Sequence, residues 1–135
     1  MNYEEAKKQR AAADAEGIAA QIVDAAILVH RELGPGLLES VYHTCLKHEL
    51  ASRNFSVCSE TEIPIHFKDL KFECGFRADL IINNKVLIEL KAVETLLPVH
   101  KAQLITYLKL ADLPLGFLIN FNVLSLKDGI QRVIL

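Results

Sequence analysis

The sequence carries no excess of charge of either sign. Fifteen lysines and arginines stand against 17 aspartates and glutamates, a net charge of −2. That excludes a basic nucleic-acid coat protein and an acidic tail protein, and argues mildly against avid, non-specific DNA binding. Cysteine is scarce. Cys45, Cys58 and Cys74 cannot pair off completely, and their spacing fits neither a zinc knuckle nor a CxxC redox pair. They are expected to be small buried residues in a reducing compartment. No apolar run approaches the roughly 18 residues that a membrane span needs. The start, MNYEEAKKQR, has no apolar stretch of the signal-peptide kind. A cytoplasmic protein with no membrane partner is therefore expected. Repeats, low-complexity segments and linkers are also missing, so the 135 residues predict one domain. What is present is apolar mass: 51% of residues are hydrophobic and 24% are charged, enough for one dense core.

Residues 1–16 are polar and Ala-rich, an extension that either lengthens the first helix or frays; the domain proper is expected over 17–135. From Ile18 the spacing Ile18, Ile22, Ala26, Val29, Leu33 predicts a helix. Gly34-Pro35-Gly36 interrupts it, with Gly34 suited to a left-handed cap and Pro35 to a new helix entry. A second amphipathic helix follows from about Leu37 to Ser52, with Leu38, Val41, Tyr42, Cys45, Leu46 and Leu50 on its apolar side. The period then changes to strand. Phe55 to Phe67 alternates, with Pro64 marking an edge or bulge. Leu70 to Ile82 follows, with a bend at Gly75. Asn83-Asn84 predicts a tight turn before the buried run Val86 to Leu90. Residues 98–111 return to helical spacing. Leu115 to Phe121 and Ile130 to Leu135 read as strands around an Asp128-Gly129 turn. The order α-α-β-β-β-α-β-β predicts an α/β protein with a mixed central sheet flanked by helices.

Three groups of residues depart from core logic. Glu89 and Lys91 flank Leu90 and project to one face of a strand. The Asn83-Asn84 turn would set Asp79 beside Glu89. Two carboxylates and an amine then converge on a mostly buried sheet, where uncompensated charge costs several kcal/mol per ion in typical cases. They need one another or a metal. Paired carboxylates with open positions suit Mg²⁺ or Mn²⁺. A lysine beside such an ion can hold or deprotonate an attacking water and stabilise charge on phosphorus. The same spacing also suits a structural Glu–Lys pair at a strand end. In the second group, Glu39 lies near the positive end of helix 2 and shares a face with Tyr42. A helix-start acid and a core tyrosine would read the same way. In the third, His100, Gln103 and Tyr107 form one stripe on helix 98–111. That stripe suits contacts to phosphate or bases, or equally a solvated face with a capping histidine. His30 and Arg31 are expected to complement the end of helix 1. His43, His48 and His66 show no metal-ligand spacing and are expected at the surface.

GLLESVY at 36–42 resembles the motif that names the GxxExxY protein family. VHRELGPGLLESVYHTCLKHEL at 29–50 is similar to that family's first signature. RADLIINNKVLIELKAV at 77–93, HKAQLITYLKL at 100–110 and LGFLINFNV at 115–123 resemble its later blocks. The likeness runs over roughly residues 18–135. It implies membership of the PD-(D/E)XK nuclease-like superfamily and a restriction-endonuclease-like α-β-β-β-α-β core, here with an extra N-terminal helix and a C-terminal strand. The superfamily's acidic residue falls on Asp79, its ExK pair on Glu89 and Lys91, its helix acid on Glu39, and the QxxxY pattern of some exonuclease-like members on Gln103 and Tyr107. One departure is Ala78, where the pattern has proline. The resemblance implies a Mg²⁺- or Mn²⁺-dependent nuclease acting on nucleic acid, DNA before RNA. Asp79 and Glu89 would bind the metal, with Glu39 directly or through water and the Leu90 carbonyl as a further oxygen. Lys91 would act on the attacking water. Tyr42, His100, Gln103 and Tyr107 would support the site or touch substrate. Two other readings belong to different classes: a non-catalytic module that holds nucleic acid or a protein, and an interaction subunit whose apolar surface makes a homodimer.

Overall fold

The computed structural model describes residues 1–135. Two helices come first: α1 (Tyr3–Leu33) and α2 (Glu39–Ser52). Three strands follow: β1 (Val57–Phe67), β2 (Leu70–Ile82) and β3 (Val86–Lys91). Then come α3 (Pro98–Ala111), β4 (Leu115–Asn120), a short 3-10 turn (Leu126–Gly129) and β5 (Ile130–Ile134). The strands lie in sequence order in one sheet. Every pairing is antiparallel except β3 with β4, which run parallel and are joined through α3. That is the mixed sheet flanked by helices that the periodicity predicts.

The sheet separates two cores. On one face Leu80, Ile82, Ile88, Leu90, Phe117 and Ile119 pack with α1 and α2. On the other, Leu87 and Leu118 pack with Leu104 and Leu108 of α3. All of β4 and the first five residues of β3 are buried, which explains their unbroken apolar runs.

Local signals account for the links. Asn83 and Asn84 both adopt positive φ, 52° and 54°, and Lys85 N–H closes the turn on Ile82 O at 2.9 Å. At Pro64 the β1–β2 register slips between Ile63 and Ile65. Gly75 lies under the Ile65 side chain, where any Cβ would overlap it. A residue with no side chain is what lets the hairpin bend here.

Several boundaries and burials differ from the sequence reading. Of the two courses expected for residues 1–16, they take the one that lengthens the helix: α1 starts at Tyr3, and Ala15, where no core is visible in the sequence, is fully buried. Alanine gives too weak a periodic signal for that to be visible. α2 starts at Glu39, not Leu37, and its Leu38 and Val41 are exposed because the first turn overhangs the core. β1 starts at Val57 and β4 ends at Asn120. Gly34 has φ 73° but ψ 179°, an extended excursion open to glycine rather than a left-handed cap. The cysteines are free but not buried: Cys45 is half-buried, and Cys58 and Cys74 are exposed on the long hairpin. No helix is long and apolar enough to cross a membrane.

Candidate active site

β3 and β4 end side by side, with Lys91 opposite Asn120. At this end β2 leaves the ladder after the Leu80–Ile88 pair, and side chains take over the pairing. The Glu89 carboxylate accepts from Asp79 N–H at 3.1 Å. The Asp79 carboxylate accepts from Leu90 N–H at 2.8 Å. Asp79 and Glu89 therefore lie together, as the turn and the alternation predict. Each spends one oxygen on a backbone amide and keeps the other.

Glu89 is buried, 6% exposed. Burial and the neighbouring Asp79 charge push its carboxyl up from 4.5 to about 8, and the Asp79 amide and Lys91 only partly offset this. At neutral pH the pair keeps a proton. Lys91 shares the Glu89 face of β3 and is half-buried. It belongs to none of the structure's six ion pairs, so its charge is free for something else.

Glu39 opens α2. Partial burial and Asp79 raise its carboxyl, while Lys91 and His43 lower it. It stands within electrostatic reach of the pair. It does not join them in a ligand cluster: no group of three or more His, Cys, Asp or Glu side chains is gathered closely enough to hold a metal ion. The donor set nonetheless fits a hard dication in its chemistry. Two adjacent carboxylates that cannot both ionise at pH 7 are oxygen donors lacking a positive partner.

Tyr42 does not face this cluster. It is fully buried, stacked on Phe121 at 4.6 Å. Its hydroxyl donates to Gly34 O at 2.6 Å and accepts from Leu37 N–H at 3.1 Å. No side chain caps α2. The tyrosine instead pins the Gly-Pro-Gly bend that delivers Glu39. Removing the hydroxyl takes a partner from the half-buried Gly34 carbonyl and from the Leu37 amide. Tyr42→Phe is therefore expected to cost about 0.5–1.5 kcal/mol of stability. Urea denaturation checks this, and an unchanged midpoint would contradict the pinning role.

The α3 stripe is split. His100 is half-buried and its Nδ1 accepts from Leu97 N–H at 3.0 Å, capping its own helix. Gln103 is exposed. Tyr107 stacks on Phe76 at 3.9 Å, and burial together with Glu89 and Asp79 raises its hydroxyl pKa. Of the three, Tyr107 is the one whose electrostatics tie it to the carboxylates.

Two residues near the site escape the sequence reading. His43, expected at the surface, is half-buried, with Nε2 at 3.1 Å from Asp79 O and 3.2 Å from Ser59 Oγ. Its only local signal is its place one turn after Glu39. Asn120 is 2% exposed. Its side chain accepts from Val93 N–H and donates to Val93 O, at 3.0 and 2.9 Å, fixing the chain just after Lys91. A polar residue closing a buried apolar strand is the signal that could have found it.

The sequence profile of the PD-(D/E)XK nuclease superfamily matches residues 16–133. The chain belongs to the PD-(D/E)XK nuclease superfamily. No curated protein and no solved structure was found to match it. The superfamily's name describes an acid followed by an acid–x–lysine element. In this PD-(D/E)XK chain an acid within β2, Asp79, lies against Glu89 of β3, with Lys91 two residues further on at the end of that strand.

Proposed function

We propose that this chain is a metal-dependent phosphodiesterase that cleaves nucleic acid, DNA in preference to RNA. The observation that carries the reading is the Asp79–Glu89 pair, with Glu89 buried and proton-holding beside an unpaired Lys91. Within the superfamily, the GLLESVY motif at 36–42 supports a place in the GxxExxY family.

Asp79 and Glu89 would hold Mg²⁺ or Mn²⁺, with the Leu90 carbonyl as a further oxygen and Glu39 reaching the ion through water. Bound there, a dication supplies positive charge to the reacting phosphate and lowers the pKa of water. Lys91 would donate to the attacking water to orient it and offset the negative charge gathering on phosphorus. Tyr107 shields the carboxylates on the α3 side. His43 holds the Asp79 backbone in place. The test is cleavage of single- and double-stranded DNA and RNA over a range of Mg²⁺ and Mn²⁺, with a chelator as control. Cleavage that persists in the chelator, or no cleavage of any of the four substrates, would overturn the proposal.

One observation favours a second reading, a binding module that keeps the fold. Asp79 and Glu89 already satisfy two backbone amides, and no third ligand joins them. Thermal melting separates the two. An ion bound only to the folded protein at 100 times its dissociation constant adds about 2.7 kcal/mol. A Mn²⁺-dependent rise in Tm that Asp79→Asn removes is expected of the enzyme. Identical melting curves with and without Mn²⁺ are expected of the binding module.

A further inference from the structure

A chain of net charge −2 needs a local gathering of cations to hold a polyanion. Resting on the nuclease reading, we propose that the groove between the end of α1 and the loop after β4 binds the phosphodiester backbone of the substrate strand, beside the reacting phosphate. The groove measures about 390 Å³. Arg31 and Lys127 line it, with the Ser125 hydroxyl between two apolar leucines, Leu124 and Leu126. None of its seven lining residues is acidic. Neither Arg31 nor Lys127 takes part in an ion pair. Both are exposed, and Leu124 stands almost wholly in solvent at 96% exposure.

The backbone ties this groove to the active site. Phe121 N–H donates to Lys91 O at 2.9 Å, so the chain leaves β4 in contact with the Lys91 backbone. His30 Nε2 lies 2.8 Å from Val123 O and fastens the end of α1 to the same loop. Two residues, Asn122 and Val123, lie between Phe121 and Leu124. At no more than ~3.6 Å per step the three steps span at most about 11 Å. A nucleic-acid strand rises about 3.4 Å per nucleotide, so that reach is about three nucleotides. On this arrangement a strand with its reacting phosphate at Lys91 lays a flanking phosphate between Arg31 and Lys127. The guanidinium offers a planar fork to the phosphate oxygens and the ammonium a point charge. Leu124 offers the exposed apolar surface for a sugar or base.

The experiment measures binding of a fluorescent oligonucleotide to the full chain by anisotropy, over a range of salt. All arms carry Lys91→Ala so that the probe stays whole. Adding Arg31→Ala with Lys127→Ala is expected to weaken binding about tenfold or more at low salt. It should also flatten the plot of log affinity against log salt by about 1.4 for a single strand, at ~0.7 for each phosphate that is no longer neutralised. The control pair, Lys8→Ala with Arg10→Ala at the exposed start of α1, should leave both values unchanged. Unchanged binding in the groove double variant, with the parent still binding, would overturn the groove and leave the nuclease reading standing. An equal loss in the control pair would overturn it as well, since charge alone would then be acting. A parent that binds no DNA or RNA oligonucleotide would overturn both.

Discussion

Lys91→Ala is expected to lower cleavage by at least about 100-fold while leaving the fold and divalent-ion affinity in place. The size follows from what one positioned charged donor contributes to such a reaction, about 10²–10³-fold in general. Selectivity follows from where the lysine stands. It ends β3, half-buried, and forms no ion pair, so alanine removes a charge without stranding a partner. The β3–β4 register is carried by the backbone, and Lys91 O keeps its bond from Phe121 N–H whatever the side chain. Asp79 and Glu89 are fastened by Leu90 N–H and Asp79 N–H, which the substitution does not touch. Steady-state rates, circular dichroism and an ion titration on one preparation give the answer. Unaltered cleavage would remove Lys91 from the chemistry. A collapsed fold would make it a structural residue instead.

Glu89→Gln is expected to make the ion-free protein more stable at pH 8 and above, and to abolish both cleavage and stabilisation by metal. The folded pKa of Glu89 is raised from 4.5 to about 8, so between those values the folded state holds a proton that the unfolded chain has lost. Stability is therefore fully present below about 4.5. It falls as pH rises through that window, and the loss is complete above about 8. At about 1.4 kcal/mol per pKa unit the penalty reaches a few kcal/mol. Glutamine has nearly the same shape. It can still accept from Asp79 N–H through Oε1, and its amide can donate to the Asp79 carboxylate. The variant should melt roughly 5–10 °C above the parent at pH 9 without metal, and close to it at pH 4.5. Melts across pH with and without Mn²⁺ test this. A variant that is less stable at every pH would mean that the carboxylate is a net stabiliser. A gain in stability at a functional position accompanied by lost activity is a known trade.

The legible part of this site is local. Glu89 and Lys91 stand two apart on a strand, and the Asn83-Asn84 turn sets the register that brings Asp79 opposite. Period and turn chemistry suffice for that. Tyr42 fits the apolar stripe of α2, but its hydroxyl partners come from a bend that no helical period describes. His43 finds Asp79 O across 36 residues, a contact that depends on how α2 crosses the sheet. The family resemblance places Glu39 among the ligands, directly or through water. It starts its helix close enough for its charge to be felt, yet outside the pair. Cys58 and Cys74 look like interior residues as long as the β1–β2 hairpin is taken to be covered, whereas much of it projects beyond both cores.

The most direct measurement is calorimetric titration of Mn²⁺ into the full chain at pH 7, repeated in buffers of different ionisation enthalpy to count protons released. A group that titrates at about 8 is about nine-tenths protonated at pH 7, so an ion binding to the Asp79–Glu89 pair should displace close to one proton. Asp79→Asn should remove the binding. One site with nearly one proton released, lost in that variant, is the expected result. Absence of Mn²⁺ binding, or binding that survives Asp79→Asn unchanged, would contradict a divalent-cation site at the heart of this fold.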